Sequence, residues 1–221
     1  MASFSATVVQ SHLTQSLRSA VVDNSPFRHW TLKAVLPERT AQGLRAIQAT
    51  PPDVSQGSGR RELHNDSRTY LAGARLAAPG PLLDVARAFQ SPAVVLAFMA
   101  LTGAMLLGSY LRLELALDLD GFWLEPHTDL GVKLFTLLLA LPDGRRQAGL
   151  GTDLYNPDRS WAKRLPFAWN AGLVFRPAED TWHGFEPRPI AGVRRSLIVN
   201  YVTPQWRDRD QLAFPDEPIA V

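Results

Sequence analysis

The sequence contains no cysteine. That excludes disulfides, thiolate metal sites, iron–sulfur clusters and cysteine nucleophiles. Any metal held by side chains must rest on histidine and carboxylate, and there are only five histidines in 221 residues. A surplus of charge is also missing: 23 Lys+Arg stand against 21 Asp+Glu, a formal net charge of +2. The pI of about 9.2 reflects that thin excess, spread over 20 Arg and 3 Lys without a run or stripe. A nucleic-acid surface needs a concentrated basic patch, so none is expected. The N-terminus has no basic residue before Arg18 and no compact apolar stretch ending in a small-residue cleavage site, so the expectation is a cytoplasmic protein without a secretory leader. Hydrophobic residues at 46% and charged residues at 20% are ordinary for a globular chain long enough to bury a full core.

One long uncharged run exists, the twenty residues 92–111. Its length admits a membrane span, but Thr102, Gly103, Gly108 and Ser109 interrupt its second half. It is read instead as a buried helix over residues 91–103, a turn and the start of a strand. Ser91 and Pro92 suit an N-cap and a first helical position. Upstream, residues 1–25 are polar and loosely patterned, 27–35 read as a short strand, and Pro37 opens a helix to about Ala49. Residues 50–59 are loop, and 82–89 form a further helix.

From Tyr110 the texture changes. Leu111, Leu113, Leu115 and Leu117 alternate with Arg112, Glu114, Ala116 and Asp118, the period of a strand apolar on one face and polar on the other. Short β-like runs follow at 122–124, 133–141, 150–155, 172–175, 181–185 and 193–202, separated by turn signals such as Pro142-Asp143-Gly144. So many short strands predict an antiparallel barrel or jelly roll with helices on its outer face, a mainly β, α+β domain. The expected division is a loosely ordered segment 1–25, one domain 26–205 (helical support 26–108, barrel core 109–205) and a tail 206–221.

His127-Thr128-Asp129 sets an imidazole and a carboxylate two residues apart at a strand end, and His183 follows 56 residues later in another predicted strand. Two His and one carboxylate with open positions is the ligand set of non-haem Fe(II) oxygenases. The triplet alone is weak, since His64-Asn65-Asp66 matches it too. For His127 and His183 the plain alternative is a pair of buried structural histidines, while His12 and His29 are expected at the surface. Eleven residues beyond His183, Arg194-Arg195-Ser196 opens the last strand.

On His127-x-Asp129, the distal His183, the Arg-x-Ser beyond it and the small-residue stretch at residues 151–154, the chain from about 27 to 202 resembles the 2-oxoglutarate/Fe(II)-dependent oxygenases, in the branch containing the prolyl hydroxylases. The resemblance implies a double-stranded β-helix barrel. It implies His127, Asp129 and His183 as iron ligands, and Arg194 as the group binding the distal carboxylate of 2-oxoglutarate, which is consumed with O2 to give succinate and CO2. Asp129 occupies the position that halogenating relatives leave small, so hydroxylation is the implied outcome, with desaturation or cyclisation dependent on substrate placement.

Strand alternation puts Arg194, Ser196, Ile198 and Asn200 on one face and Arg195 on the other. A guanidinium fork matches a carboxylate, and Ser196 is placed to assist. A one-residue slip would exchange Arg194 for Arg195. Arg112 and Glu114 should face the barrel interior, either holding a polar substrate or pairing with each other. Asn200 and His64 are further substrate candidates, and the segment 61–68 is read as a lid or a solvated turn. Trp123 and Trp182 are read as packing, and Lys133 lies near enough in sequence to approach Asp129. The expected substrate is a small polar molecule such as an amino acid, the expected state a monomer or homodimer away from membranes. Hydroxylation of a protein side chain and a non-catalytic metal-binding barrel are the alternatives.

Overall fold

The computed structural model describes residues 5–51, 59, 68–129 and 131–221. His64 and most of the 61–68 segment lie outside them. Eleven strands form two sheets. The larger has the order β1 (Val21–Asp23), β2 (His29–Leu32), β9 (Ala171–Phe175), β6 (Lys133–Ala140), β11 (Arg194–Val202), β4 (Tyr110–Asp118), β3 (Thr69–Tyr70). The smaller has the order β5 (Leu124–His127), β10 (His183–Phe185), β7 (Asp153–Tyr155), β8 (Trp161–Arg164). Every pairing is antiparallel, and the two sheets face each other across an interior cavity. This is the double-stranded β-helix.

The alternation of β4 does what its sequence dictates. Leu111 and Leu113 join the apolar core beneath the helices, while Arg112 and Glu114 turn into the cavity. Both faces of the strand are buried, so the polar face is polar because it lines a site. Four helices cover the outside: α1 (Ala6–Arg18), α2 (Glu38–Arg45), α3 (Pro81–Gln90) and α4 (Pro92–Thr102). Ser91 is the N-cap of α4 and Gly103 its C-cap at φ 70°, a left-handed conformation that favours glycine. Its N–H bonds the Met99 carbonyl at 2.8 Å. The apolar run 92–111 is therefore helix, turn and strand, and no single helix among the described residues is long and apolar enough to cross a membrane.

Three expectations change. Residues 6–18 are a helix rather than loose chain: the Ser5 hydroxyl caps it, and Val9, Leu13, Ser16 and Leu17, one face at helical spacing, bury against α3 and α4. The division at 108/109 does not hold, since β1, β2 and β3 complete the larger sheet. Nor is 206–221 a tail apart from the domain. Ala213 and Ile219 bond the backbone of Leu111 and Ser109, and Leu212, Phe214 and Ile219 are buried. Three strands escaped prediction: β1 and β3, of three and two residues, and β8, an edge strand of partly exposed residues without an apolar alternation to announce it.

Candidate metal centre and its cavity

Adjacent strands of the smaller sheet bring the two histidines together, for His127 on β5 is the cross-strand partner of His183 on β10. Their ring centroids lie 4.3 Å apart. Asp129, two residues past His127, closes the group: its Oδ1 is 3.8 Å from His127 Nε2 and its Oδ2 is 3.8 Å from His183 Nε2. The three ligand atoms fall within 4.8 Å of one another.

The outer atoms fix this arrangement. His127 Nδ1 bonds the Glu125 carbonyl at 2.9 Å, and His183 Nδ1 bonds the Thr181 carbonyl at 2.9 Å. Each Nδ1 is thus the donor, and each Nε2 presents a lone pair toward Asp129. Burial, with the neighbouring His127 adding to it, lowers the pKa of His183 to about 4 despite Asp129, so the imidazole is neutral near pH 7. Burial acts to raise the pKa of Asp129, but Lys133 and the two histidines overcome it and hold the carboxyl well below its usual range. Two imidazole Nε2 atoms and an ionised carboxylate converging on one point are what a divalent cation such as Fe(II) requires. The residues fit the metal.

Two supports of Asp129 lie beyond the motif. Lys133 Nζ is 2.7 Å from Oδ1, so it does reach the site. Thr136 donates its hydroxyl to Oδ2 at 3.0 Å. Thr136 sits opposite Asn200 in the β6–β11 register, which is the signal that would have found it.

The triad opens into a cavity of about 980 Å³ between the sheets. Arg194 and Ser196 line it. Arg195 instead turns outward, its Nη1 bonding the Ile47 carbonyl at 3.2 Å. Arg194 is therefore the inward residue. Its guanidinium donates to the Leu150 carbonyl at 2.7 Å and to Asp118 Oδ2 at 2.5 Å, and stands over the rings of Phe185 and Phe167 at 4.6 Å and 4.8 Å. Asp118 is its cross-strand partner; the polar alternation of β4 already placed Asp118 on the interior face. Gly151 follows Leu150 where no side chain fits, since an added Cβ would lie 1.6 Å from the Leu165 carbonyl oxygen.

Along β11, Asn200 lies six residues from Arg194 on the same face, about 20 Å along the strand. Here Arg112 donates to Gln211 Oε1 at 3.0 Å, Asn200 Oδ1 at 3.1 Å and Glu114 Oε2 at 3.0 Å. Arg68 forks onto both oxygens of Glu114. Arg112 and Glu114 thus both pair with each other and line the cavity. Trp206, Asp208 and Gln211 line the same end, none of them marked by periodicity or motif.

The two other described histidines, His12 and His29, belong to the scaffold. His12 is exposed and bonds the Ala34 carbonyl. His29, expected at the surface, is fully buried beside Phe27, because the alternation of β2 turns it inward. Trp182 stacks with Arg159.

No protein-family model matches the sequence, and no curated protein is significantly similar to it. The fold has clear counterparts among solved structures. A Pseudomonas putida prolyl-4-hydroxylase aligns with TM-score 0.56 at 15% identity, over 88% of this chain and 94% of that one. A Trichoplax adhaerens prolyl hydroxylase, solved with a hypoxia inducible factor peptide fragment, aligns with TM-score 0.52 at 13% identity, over 87% and 88%. A viral collagen prolyl hydroxylase from Paramecium bursaria Chlorella virus-1, solved with 2-oxoglutarate, aligns with TM-score 0.52 at 11% identity, over 79% and 96%. The chain has the fold of these oxygenases, with a His-x-Asp…His triad inside it.

Proposed function

We propose that the protein is an Fe(II)- and 2-oxoglutarate-dependent oxygenase that hydroxylates an unactivated C–H bond of a small polar substrate. The observation that carries this reading is that the triad His127, Asp129 and His183 opens into the same cavity as Arg194 and Ser196.

The chain's own part is to bind, orient and exclude water. His127, Asp129 and His183 hold the metal, and their Nδ1 and carboxylate partners keep the donor atoms aimed inward. Arg194, oriented by Asp118 and the Leu150 carbonyl, takes the distal carboxylate of 2-oxoglutarate, and Ser196 offers a hydroxyl beside it. Phe167, Phe185, Leu138 and Leu173 line the same cavity and keep it apolar between its polar ends. Iron, when bound, supplies the activation of O2. One oxygen atom enters succinate as 2-oxoglutarate loses CO2, and the other becomes the hydroxyl of the product.

A small polar substrate is supported by the buried charges of the Arg112 end, groups placed inside the barrel rather than along a surface groove. A protein side chain as substrate is the second reading. It is favoured by the likeness to prolyl hydroxylases, one of them solved with a peptide.

The test is anaerobic. Adding 2-oxoglutarate to the Fe(II) protein should produce a visible charge-transfer band. Arg194→Ala should weaken 2-oxoglutarate binding on the order of a hundredfold, as expected for losing a charge-assisted fork, whereas Arg195→Ala should not. A band that never forms would identify a metal-binding barrel without oxygenase activity. Succinate release with peptides but with no small molecule would favour the second reading.

A further inference from the structure

We propose that the end of the cavity opposite Arg194 receives a carboxylate of the substrate, bound by the Arg112 guanidinium and the Trp206 indole N–H. This rests on the oxygenase reading and narrows its polar substrate to an acid.

Arg112 is only 1% exposed, yet it lines the cavity. Its Cζ lies 4.8 Å from the Tyr70 ring and 5.1 Å from the Trp206 ring, so aromatic rings hold the guanidinium in place. Three of its N–H groups are used, by Gln211, Asn200 and Glu114. A guanidinium has five. The Tyr70 hydroxyl lies close enough to draw on a fourth, which leaves one Nη N–H over in a buried position. Beside it, the Trp206 Nε1–H is buried and has no acceptor. A buried donor without a partner costs about 1–3 kcal/mol, and such groups in folded proteins call for an explanation. The spare Arg112 N–H and the Trp206 indole N–H, at one end of the cavity, find it in a ligand that brings acceptors. A carboxylate has two oxygens and a charge complementary to Arg112.

The position suits the chemistry. Arg112 bonds Asn200, Asn200 Nδ2 bonds Thr136 Oγ1 at 3.0 Å, and Thr136 bonds Asp129. Two side chains therefore separate the carboxylate handle from the metal ligand. A substrate held there lays a carbon a few bonds from its carboxylate over the triad, while 2-oxoglutarate occupies the Arg194 end. Such a carboxylate comes from a free organic or amino acid, or from a peptide.

The Trp206 indole provides the readout. The full chain, loaded with diamagnetic Zn(II) and saturated with 2-oxoglutarate so that Arg194 is engaged, is titrated with acetate and with acetamide. The Trp206 indole resonance, assigned through Trp206→Phe, should move with acetate and stay with acetamide. Arg112→Lys should weaken the acetate response on the order of tenfold, because it loses the planar fork, with 2-oxoglutarate affinity unchanged. Should that variant not fold, Trp206→Phe, which keeps the ring over Arg112, should still weaken binding of 13C-labelled acetate. An indole resonance that ignores acetate, or follows acetamide equally, overturns the proposal. Tetra-alanine with a free and with an amidated C-terminus separates the sources. A response to the free peptide admits peptide acids, and a response to acetate alone restricts the site to small ones; either supports the carboxylate. Failure of 2-oxoglutarate to bind the Zn(II) protein would count against the oxygenase reading, while the indole response to acetate still decides the carboxylate site.

Discussion

The two sheets are held together by different physics. The larger one stands on a broad apolar core, with Leu113, Phe135, Leu137 and Val199 packed beneath the helices. Hydrophobic burial fixes its outer face, while its inner face carries the Arg194–Asp118 and Arg112–Glu114 pairs. The smaller sheet carries His127 and His183, and its apolar clusters are few. Its central support is instead the fully buried carboxylate of Asp153 on β7. Arg164 Nε at 2.7 Å and Trp161 Nε1 at 3.1 Å meet Oδ1; Arg188 Nη1 at 2.6 Å and the Glu186 N–H at 2.9 Å meet Oδ2. One side chain thus joins β7, β8 and the segment after β10. Apolar packing tolerates adjustment, whereas a buried ionic knot admits one geometry. The sheet that must aim two imidazoles is the one secured by the knot.

The largest expected effect tests that contrast directly. Asp153→Ala leaves Arg188, Arg164 and a backbone N–H without their acceptor, and should destabilise the protein by about 3–5 kcal/mol. Metal affinity should fall with it. Leu137→Ala in the larger sheet should cost a similar 2–5 kcal/mol, yet the surviving folded fraction should bind metal normally. Denaturant unfolding paired with metal titration checks both. If the two variants lose metal affinity equally, the contrast between the sheets is broken.

A smaller effect sharpens the role of the larger sheet at the metal. Thr136→Val removes the donor to Asp129 Oδ2 while keeping the volume, and should weaken metal binding about 10- to 100-fold, the usual range for losing an outer partner of a ligand. Thr136→Ser should restore it. Calorimetric titration with Mn(II) is the measurement.

The smallest effect concerns pH. Burial depresses the pKa of His29 from 6.5, although the Phe27 carbonyl opposes the shift. Its Nδ1 already bonds Phe27 at 2.8 Å, and its Nε2 has no partner, so a second proton finds no acceptor. The unfolded chain takes that proton more readily than the folded one. Stability from this residue is therefore full above pH 6.5 and declines as pH falls below it, by up to about 1.4 kcal/mol per pH unit. His29→Gln should flatten the decline in thermal unfolding followed from pH 7 to pH 5.

Much of the site was legible because it is periodic. The alternation of β4 set Arg112, Glu114 and Asp118 on the interior face, and the same argument along β11 put Arg194 and Arg195 on opposite faces and Asn200 with Arg194, while the family resemblance pointed to Arg194. His127, Asp129 and His183 were legible because metal chemistry constrains residue type and spacing together. What stayed hidden depends on contacts remote in sequence. Asp153 needs Arg164 and Arg188 to show its purpose. Trp206, Asp208 and Gln211 belong to no regular pattern, and they enter the cavity only because residues 213 and 219 bond back to β4. Helix α1 was obscured for another reason: its Ser, Thr and Gln content hid the spacing of Val9, Leu13 and Leu17, although those three already mark one helical face.

The return of residues 206–221 along β4 has a consequence of its own. The triad and Arg194 sit on or directly beside barrel strands β5, β10 and β11. The polar groups of the opposite end come partly from Arg68 and Tyr70, at and beside the short edge strand β3, and from Trp206 and Gln211 after β11. On the proposed reading, what the cavity accepts and how it reacts are set by different stretches of the chain, so substitutions at Trp206 or Gln211 alone should shift specificity while leaving the triad in place.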